Sequence, residues 1–288
     1  MQKPVGIGSE RVLAGLAGRG IVESRSPWMH EQEADALGLR LVYALFDFSD
    51  RNWADEDLPK LLDATQRVGF SGINVTFPFK QAVVPLLDDL SDSARAVGAV
   101  NTVVFQQGRR IGHNTDCSGF AESFRVGLPD ADLDCVLQVG CGGAGAATAH
   151  AVLAMPGTGT LLLHDTDHVR ADTLCGQLQD VYGADRIALC NDPVVGARRA
   201  SGLVNSTPMG MAKFPGLPLP ADLIEARHWV ADVVYFPLET QFLAAARAKG
   251  CRTLDGGGMA VNQAAEAFEL FTDLRVDRQR MRNSFAAF

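Results

Sequence analysis

A glycine-rich segment and an acid downstream of it have the spacing of a dinucleotide-binding site. In "VLQVGCGGAGAATA", the glycines between an apolar and an alanine-rich stretch are Gly140, Gly142, Gly143 and Gly145. Such glycines permit a tight turn and let the backbone approach a pyrophosphate, whose charge lies at the N-terminus of the next helix. The next apolar run ends in Asp165, 25 positions after Gly140. The usual spacing is about 20 residues, so the pattern predicts dinucleotide binding, with an ordinary structural turn as the alternative.

The acid also predicts which dinucleotide binds. Asp165 can accept hydrogen bonds from the ribose of the adenosine, whereas a 2′-phosphate would bring about −1.5 to −2 charges against it. NAD is therefore the expected cofactor. NADP is a weaker alternative, because Arg170 lies five positions further on and can pair with a phosphate. A helix N-cap is the structural alternative for Asp165.

Four further segments carry polar side chains that can bind a ligand or move a proton. They are "ESRSPWMH" with Ser24 and Ser26, "GINVTFPFKQ" with Asn74, Thr76 and Lys80, "GAVNTV" with Asn101, and "GHNTDCSGF" with Asn114, Thr115 and Asp116. Pro78 should end a strand and place Lys80 at the start of a helix. Purely structural interpretations remain open: Ser26 and Asp116 are typical N-caps, and lysines are usually solvated.

Strands and helices alternate along the chain, which predicts an α/β fold. Strands are predicted in "RVLAGLAG", "RLVYALFDF", "SGINVTF" and "AVNTVVFQQGRRIGHN", and helices at about 27–37, 57–68, 79–87 and 117–127. A boundary between two units is predicted near 114–119, and a second cycle starts at "CVLQV". It continues with strands in "TLLLHD", "RIALCN", "GLVNST" and "HWVADVVYF" and a helix near 168–182. This half is predicted to be a doubly wound sheet.

A long helical pattern follows "TQFLAAARAKG", a helix that ends in glycine, and "TLDGGG". The apolar residues that recur at helical spacing, and should form its buried face, are Val261, Ala264, Ala265, Phe268 and Phe271. Gln263 falls on a different face. We expect these C-terminal helices to pack on the first half of the chain.

Composition and charge exclude several classes of protein. The 288 residues suffice for two domains, and the net charge of −8 argues against binding nucleic acid or anionic membranes. No apolar run reaches the roughly 20 residues of a bilayer span, and the N-terminus lacks a signal-peptide pattern, so we expect a cytoplasmic protein. The six cysteines form no CxxC pair, and no histidine cluster has zinc spacing. No metal site is expected.

Seven motifs, in order along nearly the whole chain, resemble the shikimate/quinate dehydrogenase family. They are "SRSPWMH", "NVTFPFK", "GAVNTV", "GHNTD", "GCGGAG", "NSTPMGM" and "DGGGMAVNQA". The resemblance implies a substrate-binding catalytic domain at 1–116, a Rossmann-type NAD-binding domain at 117–257 and C-terminal helices at 258–288 that pack on the first domain. It also implies a cyclic hydroxy acid as substrate. Monomer and homodimer both remain open.

The resemblance also implies roles for individual residues. The substrate carboxylate would be bound by Ser24, Ser26 and Tyr235, and the ring with its hydroxyls by Asn74, Thr76, Asn101 and Gln263. The catalytic pair would be Lys80 and Asp116. The pyrophosphate would lie on Gly140, Cys141, Gly142, Gly143 and Ala144, with Asp165 and Arg170 near the adenosine. The nicotinamide side would be lined by Val233, Gly256 and Met259.

The implied chemistry is hydride transfer between a secondary alcohol and a ketone, with the hydride carried by the cofactor. The protein must then move one proton at the reacting oxygen and hold the carbon in place. Lys80 can donate that proton in reduction or accept it in oxidation, while Asp116 is expected to orient Lys80 and hold a substrate hydroxyl.

Oxidation is expected to run faster at alkaline pH, because a lysine must lose its own proton before it can accept another. The measurement is the rate of alcohol oxidation against pH, with chemistry rate-limiting. A rate that stays flat from about pH 6 to about pH 10 would contradict Lys80 as the base.

Two departures from the family pattern bear on specificity. Many biosynthetic members have "NRT", with an arginine suited to a 2′-phosphate, where this chain has His164, Asp165 and Thr166. The chain thus resembles the NAD-using branch, and we expect the oxidative, catabolic direction. Quinate-using relatives often have threonine at the position of Ser26, so the serine in this chain favours shikimate over quinate. Quinate, aminoshikimate and a non-catalytic NAD-binding sensor are the alternatives.

Overall fold

The computed structural model describes residues 11–287, which form two compact α/β units. One unit comprises the N-terminal region as far as Thr115 and resumes at Val261, and the other runs from Asp116 to Ala260. No helix among the described residues is long and apolar enough to cross a membrane.

The first unit is built on a mixed six-stranded sheet of order β2-β1-β3-β5-β6-β4. Its elements are β1 (Arg11–Gly18), α1 (Ser26–Ala36), β2 (Arg40–Asp47), α2 (Leu58–Arg67), β3 (Gly72–Val75), α3 (Phe79–Ala82), β4 (Asp89–Leu90), α4 (Asp92–Val97), β5 (Thr102–Gln106) and β6 (Arg109–His113). Strand β1 pairs in parallel with β2 and β3, and β5 runs antiparallel to β3 and β6.

The helix predicted at about 79–87 is shorter than expected. Helix α3 ends at Ala82, and a 3-10 turn follows at Val84–Leu86. Pro85 explains the break, because it has no N–H to donate to the carbonyl of Gln81 and its ring clashes with a continuing helix. Lys80 is the second residue of α3, so its predicted place at the start of a helix is confirmed.

The second unit contains a fully parallel sheet of order β12-β11-β10-β7-β8-β9. Its elements are α5 (Thr115–Gly127), β7 (Cys135–Val139), α6 (Gly143–Ala154), β8 (Thr160–His164), α7 (His168–Tyr182), β9 (Ile187–Leu189), α8 (Pro193–Arg199), β10 (Gly202–Asn205), β11 (Trp229–Asp232), α9 (Gln241–Ala248) and β12 (Arg252–Leu254). The order reverses between β7 and β10. Ligands bind doubly wound sheets at the carboxyl ends of the strands at such a reversal. The predicted Rossmann-type fold is confirmed.

The C-terminal helices pack on the first unit, as predicted. Helix α10 spans Gly257–Thr272 and α11 spans Arg278–Ala286. The predicted apolar face of α10 is buried, and Phe268 and Phe271 join the core formed by β1 and β2. The ring of Phe271 passes so close to Gly72 that a Cβ there would lie 2.4 Å from it.

Candidate active site

The glycine turn between β7 and α6 requires glycine at its two ends. Gly140 has a φ of +102°, which favours glycine. A Cβ on Gly145 would lie 2.2 Å from the carbonyl oxygen of Gly140. Gln138 Nε2 donates to the carbonyls of both glycines, at 3.0 and 2.8 Å. The turn is therefore folded tightly over the end of β7.

The outer face of the turn fits a pyrophosphate. Gly142 is the N-cap of α6, and a Cβ there would meet no described atom within 4 Å. The first N–H groups of this 12-residue helix therefore face a space that no N-cap side chain fills. The thiol of Cys141 is buried, and burial, followed by the charge of Asp165, raises its pKa to about 12. The thiol therefore stays neutral.

Asp165 follows β8 directly and is only 9% exposed. Its Oδ2 accepts a hydrogen bond from the backbone N–H of Cys141 at 2.8 Å, and its Oδ1 accepts one from that of Asp167 at 2.9 Å. Arg170 Nη1 lies 3.7 Å from Oδ2. The N-cap alternative is wrong for Asp165, because Asp167 caps α7 by accepting from the backbone N–H of Arg170. The acid thus lies beside the glycine turn.

Alanine at position 145 is expected to damage the turn. Its Cβ would overlap the Gly140 carbonyl at 2.2 Å, so the backbone of the turn must shift. We expect at least about a tenfold loss of NAD affinity, since close backbone approach to the pyrophosphate needs this geometry. Binding is measured by titration calorimetry. Gly176→Ala, in α7, is the control, because its Cβ would meet no described atom within 4 Å. Equal affinities for the two variants would contradict the assignment.

A buried carboxylate at the end of β11 fixes the loop that follows. Asp232 Oδ1 accepts hydrogen bonds from the backbone N–H of Val234 and from Asn205 Nδ2, both at 2.9 Å, and Oδ2 accepts one from the Thr240 hydroxyl at 2.7 Å. Burial raises the pKa of Asp232 to about 6 despite these bonds. The loop held in this way includes Val233, one of the predicted nicotinamide residues.

Three other residues of this unit are predicted to contact the cofactor or the substrate: Gly256, Met259 and Tyr235. Gly256 donates its N–H to the carbonyl of Val234 at 3.3 Å, and a Cβ on Gly256 would lie 2.4 Å from the carbonyl oxygen of Val233. The structure therefore brings Val233 and Gly256 together. Met259 is buried in the first turn of α10, whereas Tyr235 is 40% exposed.

In the first unit, a buried chain of hydrogen bonds joins the predicted asparagines. Asn74, on β3, donates from Nδ2 to Thr102 Oγ1 at 2.8 Å and to the carbonyl of Asn101 at 3.2 Å. Its Oδ1 accepts from the hydroxyl of Tyr43 at 2.7 Å. Both amide ends of Asn74 are therefore oriented by neighbours before any ligand binds.

The chain continues from Asn101 to the C-terminal helix α10. Asn101 Oδ1 accepts from the backbone N–H of Thr115 at 2.9 Å, and its Nδ2 donates to Thr115 Oγ1 at 2.9 Å. The Thr115 hydroxyl in turn donates to the carbonyl of Gln263 at 3.1 Å. The structure thus brings Asn74, Asn101 and Gln263 into one network. It also fixes the first residue of α5, directly before Asp116.

Asp116 is buried in the first turn of α5. The helix starts at Thr115, so the alternative in which Asp116 caps a helix at 117 is wrong. Lys80 is half-buried on α3, and its carbonyl accepts from the backbone N–H of Val100 at 2.8 Å, next to Asn101. Thr76 donates its N–H to the carbonyl of Ala17 at 2.9 Å, which places it beside the end of β1.

The two predicted carboxylate-binding serines lie side by side. Ser24 Oγ donates to Ser26 Oγ at 3.2 Å and accepts from the backbone N–H of Ser26 at 3.3 Å. Helix α1 starts at Ser26 with Arg25 as its N-cap, so the interpretation of Ser26 as N-cap is wrong. Two hydroxyls are thus presented at the N-terminus of a helix, where they can donate to an anion.

Comparison with known proteins shows the family of this chain. Residues 16–103 match the model described as "Shikimate dehydrogenase substrate binding domain", and residues 256–284 match "Shikimate 5'-dehydrogenase C-terminal domain". The shikimate dehydrogenase (NADP(+)) of Arthrobacter sp. (strain FB24) is 46% identical over 279 residues, covering 96% of this chain and 95% of the relative. The chain belongs to the shikimate/quinate dehydrogenase family. The resemblance stated from the motifs is therefore confirmed.

Relatives named for NADP(+) and relatives named for NAD(+) both include proteins that are 46% identical to this chain. The quinate/shikimate dehydrogenase (NAD(+)) of Corynebacterium glutamicum (strain R) is 46% identical over 282 residues, covering 96% of this chain and 99% of the relative. The structure of the quinate dehydrogenase of Corynebacterium glutamicum in complex with NAD has a TM-score of 0.89 at 45% identity, covering 97% of this chain and 100% of that one.

Three positioning residues were not found by sequence reasoning. Tyr43 and Thr102 orient Asn74, and Asp232 holds the loop of Val233. Asp232 and Val233 are adjacent in "ADVVYF", so the only available signal was an acid at the end of an apolar strand. Among residues 11–287, no group of three or more His, Cys, Asp or Glu side chains forms a metal site.

We expect Asp232→Asn to change how the free energy of unfolding of this protein depends on pH. The pKa of Asp232 is raised from 3.8 to about 6, so its ionisation destabilises the native state as pH rises through about 6. Two pKa units correspond to about 3 kcal/mol. Between about pH 4 and about pH 8, the wild type should lose roughly that much free energy of unfolding relative to the variant. Urea unfolding measures the difference, and a difference that is independent of pH would contradict the prediction.

Proposed function

We propose that this protein is an NAD-dependent shikimate dehydrogenase that interconverts shikimate and 3-dehydroshikimate. The observation that carries the proposal is the buried carboxylate of Asp165 beside the glycine turn, in a chain of this family. A carboxylate there accepts ribose hydroxyls and repels a 2′-phosphate. The similarity to an NAD(+) quinate/shikimate dehydrogenase supports the same coenzyme.

The second unit carries the residues proposed to hold the dinucleotide. The backbone of 140–144 and the N-terminus of α6 bind the pyrophosphate, and Asp165 binds the adenosine ribose, with Arg170 at its edge. Val233, Gly256 and Met259 line the nicotinamide side, held in part by the bonds of Asp232. When bound, the cofactor supplies the acceptor for the hydride.

The first unit carries most of the residues proposed to hold the substrate. Ser24 and Ser26 donate hydroxyl hydrogen bonds to the carboxylate, together with Tyr235 of the second unit. The ring hydroxyls are held by Asn74, Thr76, Asn101 and Gln263. The network from Asn74 to Thr115 orients the side-chain amides of Asn74 and Asn101 in advance, which lowers the entropic cost of placing the reacting carbon.

Proton transfer is assigned to Lys80 and Asp116. In oxidation, Lys80 accepts the proton of the reacting hydroxyl as its carbon loses the hydride, and in reduction it returns that proton to the oxygen. Asp116 holds a substrate hydroxyl and orients Lys80. The bonds of Thr115 to Asn101 fix the chain directly before Asp116.

The experiment uses shikimate that carries deuterium at the carbon to be oxidised. Incubation with NAD should yield the ketone and reduced cofactor that carries the deuterium, as mass spectrometry of both products would detect. Reduced cofactor without deuterium, or no turnover of either shikimate or quinate, would overturn the proposal. An inert protein that still binds NAD would instead support the non-catalytic sensor.

Quinate is the second candidate substrate. It is favoured by the similarity to the quinate dehydrogenase structure, whereas serine at position 26, where quinate-using relatives often have threonine, favours shikimate. Quinate has an additional hydroxyl on its carboxylate-bearing carbon, next to the serine pair. A binding site whose polar groups are fixed discriminates strongly between substrates that differ by one hydroxyl, whereas a more tolerant site discriminates weakly. Assays of both alcohols with NAD at matched concentration separate the two, and aminoshikimate is the third substrate to compare.

A further inference from the structure

Arg25 lies between the two serines proposed to bind the substrate carboxylate, yet its charge is used elsewhere. Its Nη1 donates a hydrogen bond to the backbone carbonyl of Phe285, at 2.8 Å, and its Cζ lies 4.7 Å from the centre of the Phe285 ring. Phe285 is buried near the end of α11. The arginine closest in sequence to the expected anion is thus bound to the C-terminal helix.

The backbone of Arg25 determines where the two hydroxyls lie. Arg25 is the N-cap of α1, and its carbonyl accepts from the backbone N–H of Met29 at 3.0 Å. Ser24 donates its own N–H to the carbonyl of Ile21 at 2.9 Å, and its hydroxyl bonds to Ser26. A displacement of Arg25 would therefore move both hydroxyls.

Helix α11 is fixed to α1 at a second point, which makes it a firm anchor. Glu33, whose side chain is fully buried, accepts hydrogen bonds from Arg280 Nε at 2.6 Å and Nη2 at 2.8 Å. It also accepts one from the backbone N–H of Asp277 at 2.9 Å. Charge-assisted, bidentate pairs of this kind hold their partners in a defined geometry. Because Glu33 meets the start of α11 and Arg25 meets its end, the two helices run antiparallel.

We propose that Arg25 is a positioning residue that links the C-terminal helix to substrate affinity. Its guanidinium, held by the carbonyl and ring of Phe285, keeps Ser24 and Ser26 in the arrangement that binds the carboxylate. This inference rests on the proposed function, because it assumes that these serines bind the substrate. It assigns Arg25 no contact with the substrate itself.

The test compares variants at both ends of the link. Arg25→Met removes the charge and the hydrogen bond, and should raise KM for shikimate about tenfold, with kcat and KM for NAD within about twofold of the wild type. Arg25→Lys should be intermediate, because an ammonium keeps the charge but not the planar stacking. Phe285→Leu keeps the apolar bulk and removes the ring, so it should also raise KM for shikimate.

Arg282→Ala is the matched control, because Arg282 is an exposed arginine on the same helix. Its kinetic constants should equal those of the wild type. If Arg25→Met raises KM while Phe285→Leu leaves KM at the wild-type value, the ring of Phe285 does not position the serines through Arg25 and the proposal fails. An unchanged KM in Arg25→Met, or equal rises in KM for shikimate and NAD, also overturns it.

The failure of this inference can be told apart from the failure of the proposed function. If the wild type turns over neither shikimate nor quinate, the proposed function fails. If the wild type is active and the variants behave as the control does, only the role of Arg25 fails. Thermal unfolding of each variant shows whether a rise in KM accompanies a loss of fold.

Discussion

Lys80→Ala should lower kcat for shikimate oxidation by about 10²- to 10⁴-fold, the range that a positioned acid or base contributes. The dissociation constant for NAD should stay within about twofold, because the residues proposed for the dinucleotide belong to the other unit. Lys80 is suited to the role because the backbone around it is fixed: its carbonyl bonds to Val100, beside Asn101 of the buried network.

Lys60→Ala is the control for this variant. Lys60 lies on α2 with a side chain that is 81% exposed, and it pairs only with nearby Asp57 among the ion pairs of the described residues. Its loss should leave kcat unchanged. Steady-state rates and NAD titration of both variants provide the comparison. A Lys80→Ala enzyme with wild-type kcat would show that another group moves the proton.

The second large effect concerns the preference for NAD over NADP, which the carboxylate of Asp165 is proposed to determine. A 2′-phosphate carries about −1.5 to −2 charges. Like charges about 4 Å apart at an effective dielectric constant of about 20 repel by about 4 kcal/mol per pair. Arg170, with a nitrogen 3.7 Å from Asp165, offsets part of this repulsion. We therefore expect kcat/KM to favour NAD over NADP by about 100-fold in the wild type.

Asp165→Ser should reduce that preference to about tenfold or less, because it removes the charge. It should also weaken NAD binding, because Asp165 accepts bonds from Cys141 and Asp167. The informative quantity is therefore the ratio of kcat/KM values. Asp180→Ala, at an exposed acid of helix α7 that does not line the cavity beside Asp165, should leave the ratio unchanged. An unaltered ratio in Asp165→Ser would contradict this role for the carboxylate.

The nucleotide-type half of the fold was readable from the sequence because its strands are buried on both faces. Parallel strands in such a sheet appear as continuous apolar runs, and "CVLQV" and "TLLLH" form β7 and β8. Helix α7 has the predicted bounds, 168–182, because a capping acid precedes it and a glycine follows it.

Short elements that depend on tertiary packing were missed. Helix α8 has only seven residues and contains Gly196, so it shows no clear helical period. Its place is fixed by contact: a Cβ on Gly196 would lie 2.5 Å from the sulfur of Cys190. Helix α4 and strand β4 are shorter still, and they too were not predicted.

The candidate site was also only partly predictable from the sequence. Residues in ordered motifs, such as Asn74 and Lys80, were found from the sequence. The groups that orient Asn74 were not, because they are distant along the chain: Tyr43 is 31 positions from Asn74, and Thr102 is 28. Arg25 and Phe285 are separated by 260 positions, and only the fold shows that they meet.

The most direct measurement is kcat/KM of the wild type for shikimate and quinate, each with NAD and with NADP. The largest value is predicted for shikimate with NAD, and both alcohols should be oxidised faster with NAD than with NADP. A clear preference for NADP with either alcohol, or no oxidation of either alcohol, would contradict the account.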